Sequence, residues 1–131
     1  MNEAAPEPES KSSESVLIVD DDVALAEGVA LGIRNFGYRT SIAHDGREAL
    51  LKINAENFDA ILLDIKMPGF NGLEVLRNIP PNKKPIVIML TAVDDEEVAQ
   101  QATDLGATGF LTKPCDLSLL QLTLEFAWAQ R

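Results

Sequence analysis

Residues 16–22 read VLIVDDD: four consecutive apolar, mostly β-branched residues that stop at three aspartates. A half-buried strand alternates apolar with polar residues, whereas a run apolar throughout suits a strand covered on both faces, as in parallel sheets. Working outward, the same unit recurs. Asp22 is placed to cap a helix from about Val23, with Leu25, Val29 and Ile33 on one face and Gly37 as its stop. Tyr38–Ala43 reads as a second strand, and Asp45-Gly-Arg-Glu48 has the spacing of a reciprocal cap opening a helix with Ala49, Leu50 and Ile53. Asp59–Leu63 is a third strand with Asp64 at its carboxyl end, and a short helix carrying Leu73, Val75, Leu76 and Ile79 ends at Pro80-Pro81. Pro85–Leu90 is a fourth strand ending at Thr91, and Asp94–Leu105 is a polar helix stopped by Gly106. Gly109–Thr112 is a fifth strand ending at Lys113-Pro114, and Asp116 caps a last helix with Leu119, Leu120, Leu122, Leu124, Phe126 and Trp128. Strands alternating with helices predict a doubly wound α/β fold whose right-handed crossovers bring every strand's carboxyl end to one edge.

A chain of 131 residues argues for one domain, and its 46% hydrophobic content supplies a core without disulfides. Eleven basic and twenty-one acidic residues leave a net charge of −10, a field that repels nucleic-acid backbones and anionic lipid. No apolar stretch reaches the roughly 18 residues of a membrane span, and the start lacks a signal-peptide layout. One cysteine and no metal-binding Cys/His spacing fit a reducing compartment, so the chain reads as cytoplasmic. Residues 1–15, rich in Glu, Pro and Ser, are expected to be a disordered acidic tail, with the folded domain running over 16–131.

Ligands of such sheets bind at the carboxyl edge, where Asp20, Asp21, Asp22, Asp64, Thr91 and Lys113 converge. Carboxylates crowded in a medium of low dielectric repel one another, and a hard divalent cation offsets this. Magnesium takes oxygen ligands and keeps several waters, so one or two carboxylates and a backbone carbonyl hold it with sites left open. A phosphoryl group has three equatorial oxygens to partner, one each for magnesium, Lys113 and Thr91. A carboxylate so placed can attack phosphorus, and Asp64, alone at its strand end, is the best positioned.

Four segments, VLIVDDD, LLDIKMPGFNG, MLTA and GATGFLTKP, stand in this order with strand–helix spacing between them. Together they resemble the receiver domain of two-component response regulators, from about Val16 to the last helix. The resemblance implies a flavodoxin-like sheet of five parallel strands in the order 2-1-3-4-5 with five helices. It implies that Asp64 accepts a phosphoryl group from the phosphohistidine of a sensor histidine kinase or phosphotransfer protein. Mg2+ would be held by Asp21 directly, by Asp20 largely through water, by Asp64, and by the backbone carbonyl of Lys66. Lys113 and Thr91 would each bond a phosphoryl oxygen, and Thr91 and Phe110 would form the switch. Phe stands at the switch position where Tyr is frequent, so an outward state has no hydroxyl to hold it. Lys113-Pro114 resembles the family's cis peptide, and a downstream protein partner is expected on the last two helices and the fifth strand. Lys66 and Val93, two residues after Asp64 and Thr91, would govern water access to the phosphate.

Two other classes are weighed against this reading. A magnesium-dependent phosphatase or phosphotransferase for small substrates usually has an acid two residues after its nucleophile, where this chain has Lys66. An interaction module that is never phosphorylated would not need the acid, threonine and lysine set. The domain is therefore read as a switch that assists its own phosphorylation and dephosphorylation rather than as an enzyme, either stand-alone or excised from a longer regulator or hybrid kinase. Asp22 reads as a helix cap, His44 as a surface residue away from the edge, and Cys115 as packing.

Overall fold

The computed structural model describes residues 14–91 and 96–130. Five strands, β1 (Ser15–Val19), β2 (Arg39–Ala43), β3 (Ala60–Asp64), β4 (Ile86–Thr91) and β5 (Gly109–Thr112), form one parallel sheet in the order β2-β1-β3-β4-β5. Between and after them lie α1 (Val23–Asn35), α2 (Gly46–Ala55), α3 (Gly72–Arg77), α4 (Glu96–Asp104) and α5 (Leu117–Ala129). Fold class and strand order are as expected.

Alternate strand residues feed two separate cores, because side chains along a strand point to opposite faces. Val16, Ile18, Leu62, Ile88 and Leu90 pack under α1 and α5, while Leu17, Val19, Leu63, Val87 and Met89 pack under α2, α3 and α4. Each fully buried aliphatic side chain contributes on the order of 1.5–3 kcal/mol, and β3 and β4, buried along their whole length, carry no polar residue before their last position.

Aspartates cap three helices. Asp22, Asp45 and Asp116 accept from the amides of Leu25, Glu48 and Leu119 at 3.1, 2.8 and 3.1 Å. The reciprocal box expected at Asp45–Glu48 is offset: the Glu48 carboxylate accepts from the amide of His44, one residue before the cap. A complete box occurs instead at Asn71–Glu74, where each side chain accepts from the other residue's amide. Gly37 and Gly106 have φ of 103° and 107°, a left-handed conformation that suits them as helix stops.

Several boundaries move. β1 begins at Ser15, which the sequence reading gave to the tail; its amide donates to the Asp59 carboxylate at 2.9 Å. The rest of the tail lies outside the described residues except Glu14, whose carbonyl accepts from Arg39. Tyr38 falls in the turn before β2, and α3 stops at Arg77, leaving Ile79 beyond it. The Asp94 start expected for α4 also lies outside the described residues.

Candidate functional site

Strand register assembles the site. Val19 pairs with Leu63, so the next row sets Asp20 beside Asp64; Asp64 pairs with Leu90, one residue before Thr91; and Thr91 pairs with Thr112, one residue before Lys113. All four positions thus fall within about two rows of the carboxyl edge. Asp20, Asp64 and Thr91 are 1%, 3% and 8% exposed, the buried polar residues of the described chain.

The Lys113 ammonium bridges the two buried acids, 2.9 Å from Asp20 Oδ2 and 3.1 Å from Asp64 Oδ2. Its backbone amide donates to the Thr91 carbonyl at 2.9 Å, and the following bond to Pro114 is cis. Asp20 Oδ1 accepts from the amide of Asp22 at 2.9 Å, and Asp64 Oδ1 accepts from the amide of Lys66 at 3.3 Å. Asp21 is exposed, yet Asp20, Asp21 and Asp64 each bring a carboxylate oxygen to a set lying within 4.8 Å of one another. A cluster of hard, anionic oxygens suits a hard divalent cation, so this pocket could hold a metal. Asp22 serves as a cap and is not in the cluster.

Burial pushes the Asp64 carboxyl up to about 6 from 3.8, against the pull of the Lys113 ammonium and with a further push from Asp20. Burial works to lower the Lys113 ammonium, but bonds to Asp20 and Asp64 outweigh it and hold the lysine above its ordinary value. Each partner favours the charged form of the other, and only the acid loses to desolvation. The pocket therefore holds more negative charge than one lysine offsets.

The loop from Asp64 to α3 is fixed by close backbone contact. A Cβ at Gly72 would lie 2.2 Å from the Asp64 carbonyl oxygen, and one at Gly46 would lie 2.5 Å from that of Phe70. Neither constraint was read from the sequence. His44 is a correction: it is half-buried, and its Nδ1 lies 3.3 Å from the Asp20 carbonyl oxygen. The signal was available, because strand order 2-1 with Val19 opposite Ala43 puts His44 in the row of Asp20. Phe110 stands on β5, 36% exposed. Cys115 packs against the α1/α5 core, and burial pushes its thiol up. Val93 lies outside the described residues.

A doubly wound parallel sheet with three carboxylates and a half-buried ammonium at its carboxyl edge defines a flavodoxin-like domain with an acidic pocket suited to a cation. Residues 16–125 match the family described as response regulator receiver domain, and the chain belongs to that family, a module of two-component signalling. The transcriptional regulatory protein ZraR of Klebsiella oxytoca is 37% identical over 115 residues, covering 87% of this chain and 26% of that protein. The chain thus spans about a quarter of the length of that relative. Chemotaxis protein CheY4 of Vibrio cholerae superposes with a TM-score of 0.81 at 34% identity, covering 86% of this chain and 97% of that one. A response regulator of Burkholderia pseudomallei, solved with a phosphorylated aspartic acid, calcium ion and citrate, superposes with a TM-score of 0.80 at 26% identity, covering 89% of this chain and 72% of that one. Receiver domains are generally signalling modules rather than enzymes, and among the described residues no helix is long and apolar enough to cross a membrane.

Proposed function

We propose that the domain is a phosphorylation-controlled switch, acting in the cytoplasm, in which Asp64 accepts a phosphoryl group from a phosphohistidine on a sensor histidine kinase or phosphotransfer protein. The observation that carries this is the Lys113 ammonium bonded to both Asp20 and Asp64 beside the exposed carboxylate of Asp21. The Burkholderia pseudomallei relative, with its phosphorylated aspartic acid and calcium ion, supports the same chemistry here. Mg2+, held by Asp20, Asp21, Asp64 and the Lys66 carbonyl, would supply positive charge against the phosphoryl oxygens.

An Asp64 carboxylate oxygen forms the new P–O bond as the donor's P–N bond breaks, and the histidine leaves with its electron pair and takes up a proton. Lys113, poised 3.1 Å from Asp64, exchanges that carboxylate for a phosphoryl oxygen, and the Thr91 hydroxyl donates to another. Displacing the lysine and threonine biases the loop after β4 and the position of Phe110, which changes the surface formed by α4, β5 and α5. A downstream protein reads that surface, and neither nucleic acid nor membrane is contacted directly. The domain assists its own phosphorylation and dephosphorylation without turning over a separate substrate.

Incubation with Mg2+ and phosphoramidate followed by intact mass spectrometry should show one added phosphoryl group, absent from Asp64→Asn. No adduct with phosphoramidate, acetyl phosphate or a phosphorylated kinase would overturn the reading.

A further inference from the structure

Asp20 is the first residue past β1, and the end of β2 holds both of its backbone groups. Its amide donates to the Ala43 carbonyl at 3.0 Å, and its carbonyl oxygen lies 3.3 Å from Nδ1 of His44. A carbonyl oxygen only accepts, so Nδ1 is a protonated nitrogen of the ring. With Val19 opposite Ala43, a parallel ladder continued by one more rung would give this carbonyl to the Asp45 amide. The chain turns into α2 at Asp45 instead, where the Asp45 side chain caps the helix, and the His44 ring takes the Asp20 carbonyl.

The mount of this ring is braced. Glu48 of α2 accepts from the His44 amide at 2.8 Å through one carboxylate oxygen and faces the Lys52 ammonium at 3.9 Å through the other. Lys52 in turn donates to the Ile42 carbonyl at 2.8 Å and to the Ser41 hydroxyl at 3.1 Å. The end of β2 is thus tied to α2 at Ser41, Ile42 and His44, and the backbone that carries the imidazole is held in place as the ring reaches across to Asp20.

What the ring fixes follows from peptide geometry. The carbonyl of Asp20 and the amide of Asp21 belong to one planar unit, so a bond to that oxygen sets the plane from which Asp21 departs. The Asp20 carboxylate has its own partners in the Asp22 amide and Lys113. Asp21 is exposed and takes little direction from packing, yet it brings a carboxylate oxygen to the set formed with Asp20 and Asp64.

We propose that His44 is a positioning residue of the acidic pocket: its Nδ1–H, bonded to the Asp20 carbonyl, orients the Asp20–Asp21 peptide and so keeps the Asp21 carboxylate aimed at the cation shared with Asp20 and Asp64. The ring acts through the main chain and contributes no ligand. Groups one step removed from a metal commonly change its affinity by about tenfold or more, because they orient the ligands. This rests on the reading of the pocket as a Mg2+ site serving Asp64, and it adds a residue from the end of β2 to that site.

The test uses the full chain, Mg2+ alone and substitutions at His44. The side-chain amide nitrogen of Asn overlies Nδ1 of the ring it replaces, whereas that of Gln reaches the place of Nε2; His44→Asn therefore keeps the donor, and His44→Gln and His44→Ala lose it. In a Mg2+ titration followed by amide NMR, His44→Ala and His44→Gln should bind roughly tenfold more weakly than wild type, and His44→Asn within about twofold of it. Urea unfolding reports stability separately, and affinities that follow stability rather than the presence of the donor overturn the inference. So do equal affinities in wild type and His44→Ala, a loss that His44→Asn does not recover, and a wild type that binds no Mg2+. The Asp64 adduct from phosphoramidate is measured on the same samples. Mg2+ binding lost in His44→Ala and recovered in His44→Asn, with no adduct on any sample, refutes the reading of Asp64 alone; an adduct on wild type with Mg2+ affinities indifferent to residue 44 refutes the role of His44 alone.

Discussion

Replacing Asp64 with Asn is expected to stabilise the metal-free domain at neutral pH. The Asp64 carboxyl is 3% exposed and pushed up by burial from 3.8 to about 6. At about 1.4 kcal/mol per unit, keeping it ionised in the folded state costs about 3 kcal/mol once the pH is well above 6. Asparagine removes that cost but also removes one of the two carboxylates on Lys113, which keeps Asp20 at 2.9 Å. The pull of Lys113 is already part of the value of about 6, so a neutral asparagine should gain up to about 3 kcal/mol. Between pH 3.8 and 6 the folded chain holds the Asp64 proton more tightly than the unfolded chain, so this group makes wild-type stability fall as pH rises through that window. Asparagine does not titrate. The advantage of Asp64→Asn should therefore be small or reversed at pH 4, grow through pH 5 and 6, and level off near pH 7. Urea unfolding in EDTA at each pH, with the slope m checked for constancy, measures it. A variant less stable than wild type at pH 7–8, or an advantage that does not grow between pH 4 and 7, would refute the claim that desolvation outweighs Lys113 at this site.

Adding millimolar Mg2+ should raise the wild-type melting temperature measurably and that of Asp64→Asn by less than half as much, because stabilisation follows ligand affinity; differential scanning fluorimetry reads both. Gly72→Ala drives a Cβ to 2.2 Å from the Asp64 carbonyl oxygen, so it should lose about 1–3 kcal/mol of stability and slow phosphoryl uptake from phosphoramidate by roughly tenfold or more, checked by urea titration and timed mass spectra. Lys113→Ala leaves Asp20 and Asp64 buried with no ammonium, which should cost about 3 kcal/mol without metal, whereas a Mg2+ titration should still show binding. Tyr38→Phe removes the acceptor of the Trp128 indole N–H at 2.8 Å and should cost about 1 kcal/mol with a shift in tryptophan emission.

What could be read from the chain depended on whether the signal was local or lateral. VLIV at 16–19 and IVIML at 86–90 announce strands buried on both faces, because nothing polar interrupts them. Asp20, Asp64, Thr91 and Lys113 were legible as a group because each directly follows or ends such a run. Contacts between elements distant in sequence were not. His44 beside Asp20 and the backbone approach of Gly72 to Asp64 depend on how neighbouring strands and loops are aligned, and spacing along one segment contains no such information. Lys113 on both acids at once likewise requires the row-by-row register. Asn71 and Glu74 had the right spacing for a reciprocal cap, but the glycines and prolines around them read as loop, and α3 is only 6 residues long.

Asp20 has its two oxygens tied to different kinds of partner: Oδ1 to the amide of Asp22 in the same turn, Oδ2 to the terminal ammonium of Lys113, just past β5. One tether is a backbone amide and the other the end of a side chain with four rotatable bonds. If phosphorylation draws the ammonium away, as proposed, the amide of Asp22 still aims the carboxylate. On the proposed cycle the receptacle is in this sense a fixed die with one movable pin, Lys113.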